Sequence, residues 1–282
     1  MSLPIAVFTA SLPGPLEQAL DRARDLGLAG VQIPAEALAG GAHRRLRGQL
    51  AARGLVLTAL CGDLPGHGFT RSDGLAQRIA ATTQILDLAV EVGAPVVSAH
   101  VGVIPADPAD PRTRLLSESL NAIAEHANRR GLRYAIETGP EPAAVLRAFL
   151  DRLGQPALGV NFDPANLLMV QGEDGAEATA TLAPWIVHVH AKDGVRHQPC
   201  DAEQVYAAFA NGGFAALVAR TGALFSETPL GAGQVRWPAV IAALHRAGYR
   251  GPLTIERETG SDPVADIAAA RDFLTTIQET AI

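Results

Sequence analysis

Short apolar segments alternate with longer amphipathic segments along the whole chain. The apolar segments, predicted as strands, cover residues 4–8, 30–33, 55–60, 95–101, 132–137, 158–163, 185–192 and 252–256. The expected helices lie at residues 16–26, 38–52, 72–92, 112–130, 141–153, 164–182, 237–247 and 263–280. This alternation is typical of βα units joined into a parallel sheet. Eight such units in 282 residues predict an α/β fold, a closed (β/α)8 barrel, in preference to an open doubly wound sheet.

One connection is much longer than the others. About forty residues, 197–236, separate the seventh strand from its helix and contain two apolar helical segments, at 205–209 and 214–224. Long βα loops of this kind act as lids, binding loops or oligomer contacts, and the alternative is a packed decoration without a role. No linker divides the chain, so residues 1–282 are expected to form a single domain with an extended loop after strand 7.

Charge and composition narrow the classes of function. The net charge is −6 and no basic stripe is visible, which argues against binding to nucleic acid. Residues 1–10 lack the features of a signal peptide, and no stretch reaches the ~18 apolar residues of a membrane span. Cys61 and Cys200 are too few and too far apart for a disulfide framework. We therefore expect a cytoplasmic protein that binds neither nucleic acid nor membrane.

Ionisable residues stand at the ends of the last four predicted strands. Glu137, Asp163, His190 and Glu256 each follow apolar residues, in a setting where an uncompensated charge is unfavourable. In a barrel the carboxyl ends of consecutive strands meet at one face, which carries the active site. Three carboxylates and one imidazole suit one divalent ion, with Mn²⁺ preferred and Mg²⁺, Co²⁺ or Zn²⁺ also compatible. His188 faces the same way as His190 along the strand, and His190 is preferred as ligand because it lies nearer the mouth.

Each of these signals has an ordinary alternative. A single glutamate at a strand end is often a salt-bridge partner, and a single histidine is more often a core residue; four in order on successive strands indicate a site. His100, at the end of the fourth strand, is expected to flank the metal and to bond a substrate hydroxyl. Lys192 and Asp193 either contact substrate or cap their loop. Glu227 is either a site residue or a solvated acid.

Several motifs in the second two thirds of the chain resemble one family, the xylose isomerase-like barrels, which include sugar phosphate isomerases and epimerases. The motifs are Ser98-Ala99-His100-Val101-Gly102, Ala135-Ile136-Glu137, Asn161-Phe162-Asp163-Pro164-Ala165-Asn166, His188-Val189-His190-Ala191-Lys192-Asp193, Pro229-Leu230-Gly231-Ala232-Gly233 and Ala247-Gly248-Tyr249-Arg250-Gly251-Pro252-Leu253-Thr254-Ile255-Glu256. The resemblance covers essentially the whole chain and is strongest from Val96 onward.

The resemblance implies that the four strand-end residues bind one metal ion. In the related ketose 3-epimerases the two glutamates, here Glu137 and Glu256, also transfer the substrate proton. An arginine six residues after the metal-binding histidine holds the substrate there, and Arg196 stands at that offset. An additional glutamate six residues after the first ligand is replaced by Ala143, so the chain departs from the pattern of those epimerases.

Endonuclease IV, another member of the superfamily, requires a histidine three residues after the strand-six aspartate to build its three-zinc cluster. Asn166 occupies that position, which disfavours a nuclease. The candidate substrate-binding residues are therefore His100, His188, Arg196 and Asn166. The expected partners are a small sugar-like molecule and, as in many barrels of the family, further copies of the chain in a homodimer or homotetramer.

The expected reaction is isomerisation or epimerisation of a small sugar or keto-sugar through an enediolate, with Glu137 and Glu256 as base and acid. One alternative is a dehydratase or lyase that expels a β-substituent from the same intermediate. A less favoured alternative is a barrel that binds a sugar and catalyses nothing.

Overall fold

A computed structural model describes residues 2–280 of the chain and contains a closed barrel of eight parallel strands. The barrel strands are β1 (Ile5–Phe8), β2 (Gly30–Pro34), β3 (Val56–Cys61), β4 (Val96–Ala99), β5 (Arg133–Glu137), β6 (Leu158–Phe162), β7 (Ile186–Ala191) and β10 (Leu253–Ile255). Strand β10 closes the ring because it pairs with both β1 and β7. The predicted (β/α)8 barrel is confirmed. Its predicted extent also includes Met1, Ala281 and Ile282, which lie outside the described residues.

The helices surround the barrel. They are α1 (Leu16–Asp25), α2 (His43–Ala51), α3 (Leu75–Val92), α4 (Pro111–Arg130), α5 (Ala143–Leu153), α6 (Pro164–Gln171), α7 (Gly175–Leu182), α8 (Ala202–Ala210), α9 (Phe214–Thr221), α10 (Trp237–Arg246) and α11 (Pro263–Thr280). An aspartate caps five of them by accepting backbone N–H bonds from the first turn: Asp110 on α4, Asp163 on α6, Asp174 on α7, Asp201 on α8 and Asp262 on α11. Between residues 2 and 280 no helix is both long and apolar enough to cross a bilayer.

The helix expected over residues 38–52 begins only at His43. Two further predicted helices also have different bounds in the structure. The helix expected over residues 164–182 is two helices, α6 and α7, because Gly172 adopts a left-handed conformation with φ 73° and ends the first. The helix expected from residue 72 begins at Leu75, directly after Gly74, which has φ 66°. In both places the apolar periodicity predicts a continuous helix, but a glycine with a positive φ interrupts it.

Polar side chains fill the barrel interior beneath its carboxyl end. Gln32, Ser98, Asn161, His188 and Thr254 are all at most 1% exposed. They bond to one another, as in the 2.8 Å hydrogen bond from Gln32 Nε2 to Ser98 Oγ. Buried polar groups need such partners, so this layer holds side chains in defined positions just below the mouth.

The segment 197–236 is folded. Strands β8 (Asp193–Arg196) and β9 (Phe225–Thr228) pair antiparallel, and the helices α8 and α9 lie between them in the chain. A separate small core, built around Val205, Leu217 and Leu224, holds these elements together. The predicted helical segments are confirmed, whereas the strand pairing was not expected because two four-residue strands far apart in sequence carry no clear periodicity.

Helix α8 is tied to two other loops at the carboxyl end of the barrel. Glu203 in its first turn forms an ion pair with Arg112, which is in the first turn of α4. Asn211 at its C-terminus lies 3.3 Å from His67 Nε2, in the loop that follows β3. Both anchors belong to segments that leave the tops of strands, so α8 lies across the mouth of the barrel.

Candidate metal centre and active site

The four predicted ligands come together at the mouth. Glu137 is the last residue of β5, Asp163 follows β6, His190 lies near the end of β7 and Glu256 follows β10. Each offers one ligand atom, and these atoms all lie within 4.8 Å of one another. All four residues are buried, with between 0% and 8% exposure. The arrangement has the donors and the spacing of a site for one cation.

Asp163 provides the most specific test of whether a cation fits. Its Oδ1 caps α6, accepting from the backbone N–H groups of Ala165 at 2.8 Å and Asn166 at 2.9 Å. Its Oδ2 is buried and has no hydrogen-bond partner in the described part of the chain. Burial raises the pKa of Asp163 to about 7. A cation would partner this buried oxygen, and three carboxylates with one imidazole are ligands that Mn²⁺, Mg²⁺, Co²⁺ and Zn²⁺ accept.

His190 is oriented toward the carboxylates. Its Nδ1 lies 3.0 Å from Glu137 Oε1 and 3.2 Å from Glu256 Oε2. Its Nε2 lies 2.7 Å from Gln32 Oε1, which can only accept a hydrogen bond. Burial opposes a charge on this ring, but the two glutamates raise the pKa of His190 well above its ordinary value. Since Gln32 holds the proton of Nε2, Nδ1 is the nitrogen available to an ion.

His188 lies below the ligands. Its Nδ1 is 2.8 Å from Asn161 Oδ1 and its Nε2 is 3.0 Å from Thr254 Oγ1. Burial lowers the pKa of His188 well below its ordinary value, so the ring is neutral. Asn161 in turn donates to Glu137 Oε2 at 2.7 Å. With both nitrogens engaged inside the barrel, this side chain positions Asn161 and, through it, Glu137. Substrate binding by His188 stays a prediction.

His100 lies at the mouth, just beyond β4, and Asp63 fixes its orientation. The backbone N–H of His100 donates to Asp63 Oδ1 at 2.6 Å, and the ring Nδ1 lies 3.1 Å from Asp63 Oδ2. Burial alone would lower the pKa of His100, but Asp63, with Glu137 and Glu256 further away, raises it to about 10. About a third of the side chain is exposed. Substrate binding by His100 stays a prediction.

Tyr206 of α8 also reaches the mouth. Its ring centroid is 5.9 Å from that of His100. Its hydroxyl approaches Gly139 so closely that a Cβ there would lie 2.5 Å from it and 2.7 Å from Cβ of Asn166. The backbone at Gly139 also has φ 143°, which disfavours any other residue. The long loop therefore supplies a phenol beside the predicted substrate-binding residues His100 and Asn166.

Arg196 is not brought to the ligands. Its guanidinium packs on Gly172, at the C-terminal end of α6, and its Nε is buried with no partner among residues 2–280. Asp163 stands at the other end of that eight-residue helix, about 12 Å away. Arg196 is the last residue of β8, where it pairs with Phe225 of β9. Substrate binding by Arg196 stays a prediction.

Lys192 belongs to the site. Its Nζ lies 3.2 Å from Glu256 Oε2 and also bonds Glu258. Burial alone would raise the pKa of Glu256, but the charges of His190 and Lys192 hold it well below its ordinary value. Glu227, by contrast, forms a buried ion pair that joins the long loop to the barrel, with its Oε1 2.7 Å from Nη1 of Arg257.

Asp193 organises the glycine turn that follows β9. Its Oδ2 accepts from the N–H groups of Gly231 at 2.9 Å and Gly233 at 3.2 Å, and its Oδ1 accepts from Val235 at 3.0 Å. The N–H groups of this turn thus bind the protein's own carboxylate and are not available to a phosphate. Asp193 caps its loop, which was one of the two predicted roles.

Gln32 and Asp63 belong to the site although the strand-end pattern did not include them. Gln32 is a polar residue near the end of β2, and Asp63 stands two residues after β3. The same rule, a polar residue at the carboxyl end of an apolar strand, applies to both. Tyr206 had no comparable signal, since its helix lies in an insertion whose position only the tertiary structure gives.

Comparisons with known proteins agree with the fold. The family model "Xylose isomerase-like TIM barrel" matches residues 20–277. The xylose isomerase domain protein from Planctomyces limnophilus is 27% identical, with a TM-score of 0.80 over 99% of this chain and 98% of that one. An L-ribulose 3-epimerase is 20% identical, with a TM-score of 0.77 over 100% and 96%. The probable 3-DHS dehydratase AsbF from Bacillus anthracis is 19% identical, with a TM-score of 0.75 over 98% and 99%.

A comparison with the curated proteins gives no significant match. The identities of 20% and 19% to the epimerase and the dehydratase establish likeness of fold alone. The family assignment rests on the model that matches most of the chain, together with the barrel described above. The chain belongs to the xylose isomerase-like TIM barrel family.

Proposed function

We propose that this protein is a divalent-metal-dependent enzyme that isomerises or epimerises a small sugar or keto-sugar through an enediolate. The observation that carries the proposal is the cluster of three buried carboxylates and one imidazole at the barrel mouth, in which Asp163 Oδ2 has no protein partner within residues 2–280. Membership of a family with an L-ribulose 3-epimerase among its structural neighbours supports the same class of reaction.

Glu137, Asp163, His190 and Glu256 would hold the ion, with Mn²⁺ preferred. When bound, the ion supplies Lewis-acid stabilisation of the negative charge that develops on a carbonyl oxygen as the neighbouring proton leaves.

The glutamates carry the proton transfer in this proposal. Glu256 is held ionised by His190 and Lys192, so it can accept the α-proton. Glu137, fixed by the amide of Asn161, would begin the cycle protonated and give that proton to the same or the adjacent carbon. Glu256 then releases the α-proton to solvent and Glu137 takes up a new one, which resets both groups. His100, oriented by Asp63, binds a substrate hydroxyl from the side of the mouth that faces α8.

The dehydratase neighbour favours one alternative reaction on the same site. After loss of the α-proton, the intermediate expels a β-substituent instead of being reprotonated. The mass of the product separates the two reactions, since an isomer keeps the mass of the substrate whereas elimination releases water or another leaving group.

Heavy-water exchange tests the proposal. The purified protein, loaded with Mn²⁺, is incubated in heavy water with a panel of ketoses that includes L-ribulose, and incorporation of deuterium is followed by NMR. Glu137→Gln and Glu256→Gln are expected to lose exchange by at least a hundredfold and to bind less Mn²⁺. Glu118→Gln, a change at an exposed residue of α4, is the matched control. Normal metal content and exchange in both site variants would contradict the proposal.

A further inference from the structure

Lys192 is the only lysine among the 23 lysine and arginine residues of the chain. It directly follows β7 at the barrel mouth and is 5% exposed. An ammonium is a compact point charge with three donors that turn freely, whereas a guanidinium is a larger planar fork. The chain thus uses arginine wherever else a side chain carries a fixed positive charge, and places its single ammonium in a buried position beside the candidate ligands.

The ammonium of Lys192 connects the candidate metal centre to the rim of the barrel. Its Nζ lies 3.2 Å from Glu256 Oε2 and also bonds Glu258, whose side chain is 62% exposed. The two glutamates stand two residues apart, directly after β10. The carboxylate that is proposed to accept the α-proton is therefore bonded to a fixed cation that the protein itself supplies.

One oxygen of Glu256 is shared between Lys192 and the place that a metal ion would take. Glu256 Oε2 lies 3.2 Å from His190 Nδ1, the nitrogen available to an ion, and 3.2 Å from Lys192 Nζ. Both nitrogens thus border the same carboxylate oxygen. A positive charge at Nζ repels a cation held by His190 and Glu256, because like charges this close interact strongly in a buried site. Lys192 therefore opposes metal binding through its charge.

We propose that Lys192 is a positioning residue that keeps Glu256 in the role of base and weakens metal binding by doing so. By bonding Oε2, Lys192 competes with the ion for this carboxylate and prevents it from serving as a ligand alone. The inference rests on the proposed function and divides the four acidic and imidazole groups: Glu137, Asp163 and His190 hold the ion, whereas Glu256 is shared between the ion and the substrate proton.

Two substitutions separate the charge of Lys192 from its support of Glu256. Lys192→Met keeps the length of the side chain and removes the charge, so calorimetry at pH 8 is expected to show Mn²⁺ binding at least about tenfold tighter than in the wild type. Lys192→Arg keeps the charge and is expected to stay within about threefold of the wild-type affinity for Mn²⁺. Arg114→Met, which removes an exposed charge from α4, is the control.

Deuterium exchange measures the other half of the effect. With the ketose that the wild type exchanges fastest, Mn²⁺-saturated Lys192→Met is expected to lose about tenfold or more in the maximal exchange rate, with KM changed less than about threefold. A tighter metal site combined with a slower reaction is the expected signature. A residue that only supported the ligand set would instead weaken Mn²⁺ binding when it is removed.

Mn²⁺ affinity of Lys192→Met equal to or below that of the wild type overturns the inference, as does an unchanged exchange rate. If Lys192→Met does not fold, NMR of the wild type labelled with ¹⁵N at the lysine Nζ decides. This single signal should be broadened by Mn²⁺, and a signal that saturating Mn²⁺ leaves unchanged overturns the inference. Absence of exchange in the wild type refutes the proposed reaction alone, because the Mn²⁺ affinities of the variants test Lys192 separately.

Discussion

Asp163→Asn is expected to stabilise the metal-free protein and to remove its response to metal. The substitution keeps Oδ1, so the N-terminal cap of α6 on Ala165 and Asn166 is retained. It replaces the buried, unpartnered Oδ2 with an amide that can donate to Glu137 or Glu256, whose ligand atoms lie within 4.8 Å. The change therefore removes one buried negative charge and leaves the local backbone geometry in place.

The magnitude follows from the pKa of Asp163, which burial raises from 3.8 to about 7. Each pKa unit corresponds to about 1.4 kcal/mol, so ionising this group in the metal-free fold costs on the order of 4 kcal/mol. Because the folded pKa is the higher one, the protonated carboxyl contributes stability below pH 3.8 that is lost as the pH rises through 7. We expect metal-free Asp163→Asn to exceed the wild type by up to about 4 kcal/mol at pH 8 and by less than half of that at pH 5.

Mn²⁺ should remove most of this difference. At a thousandfold excess over its dissociation constant a ligand adds about 4 kcal/mol to the folded state, and the Asn variant should not gain it. Urea unfolding at pH 8, in chelator and in MnCl₂, measures both effects. The control is Asp174→Asn. Asp174 lies outside the site and caps α7, accepting from the backbone N–H groups of Ala176 at 3.0 Å and Glu177 at 3.2 Å. Retained Mn²⁺ stabilisation in Asp163→Asn, or a loss of stability in chelator, would refute the reasoning.

Three further changes test the site and its supports. Tyr206→Phe keeps the ring beside His100 and removes the hydroxyl. The KM for an identified substrate should rise about three- to tenfold, with the Mn²⁺ content unchanged. An unchanged KM would argue against substrate binding by the hydroxyl. Asp193→Asn disturbs four backbone hydrogen bonds and should lower the free energy of unfolding by about 2 kcal/mol, read from the urea midpoint. Burial raises the pKa of Glu141 from 4.5 to about 8, so Glu141→Gln should retain at high pH the stability that the wild type loses as the pH rises from 4.5 through 8; parallel pH profiles of the two proteins would contradict this reasoning.

The sequence by itself determined the barrel and the four candidate ligands that cluster at its mouth. Apolar strand segments and glycine-terminated helices are local signals, and all eight predicted strands are present. The four ligands could also be identified, because parallel strands of a barrel bring their carboxyl ends to one face whatever the details of packing. The meeting of these side chains, those of Glu137, Asp163, His190 and Glu256, thus depends on the topology of the barrel. The alternation of strands and helices along the sequence already specifies that topology.

Only the tertiary structure decided which other side chains share the site. His188 bonds Asn161 and Thr254 inside the barrel, and Arg196 follows the pairing of β8 with β9 toward Gly172. Tyr206 reaches the mouth because α8 is anchored across it. Each of these positions depends on contacts between residues distant in the chain. Periodicity along the sequence reports which face of an element is buried, but it does not report what that face is buried against.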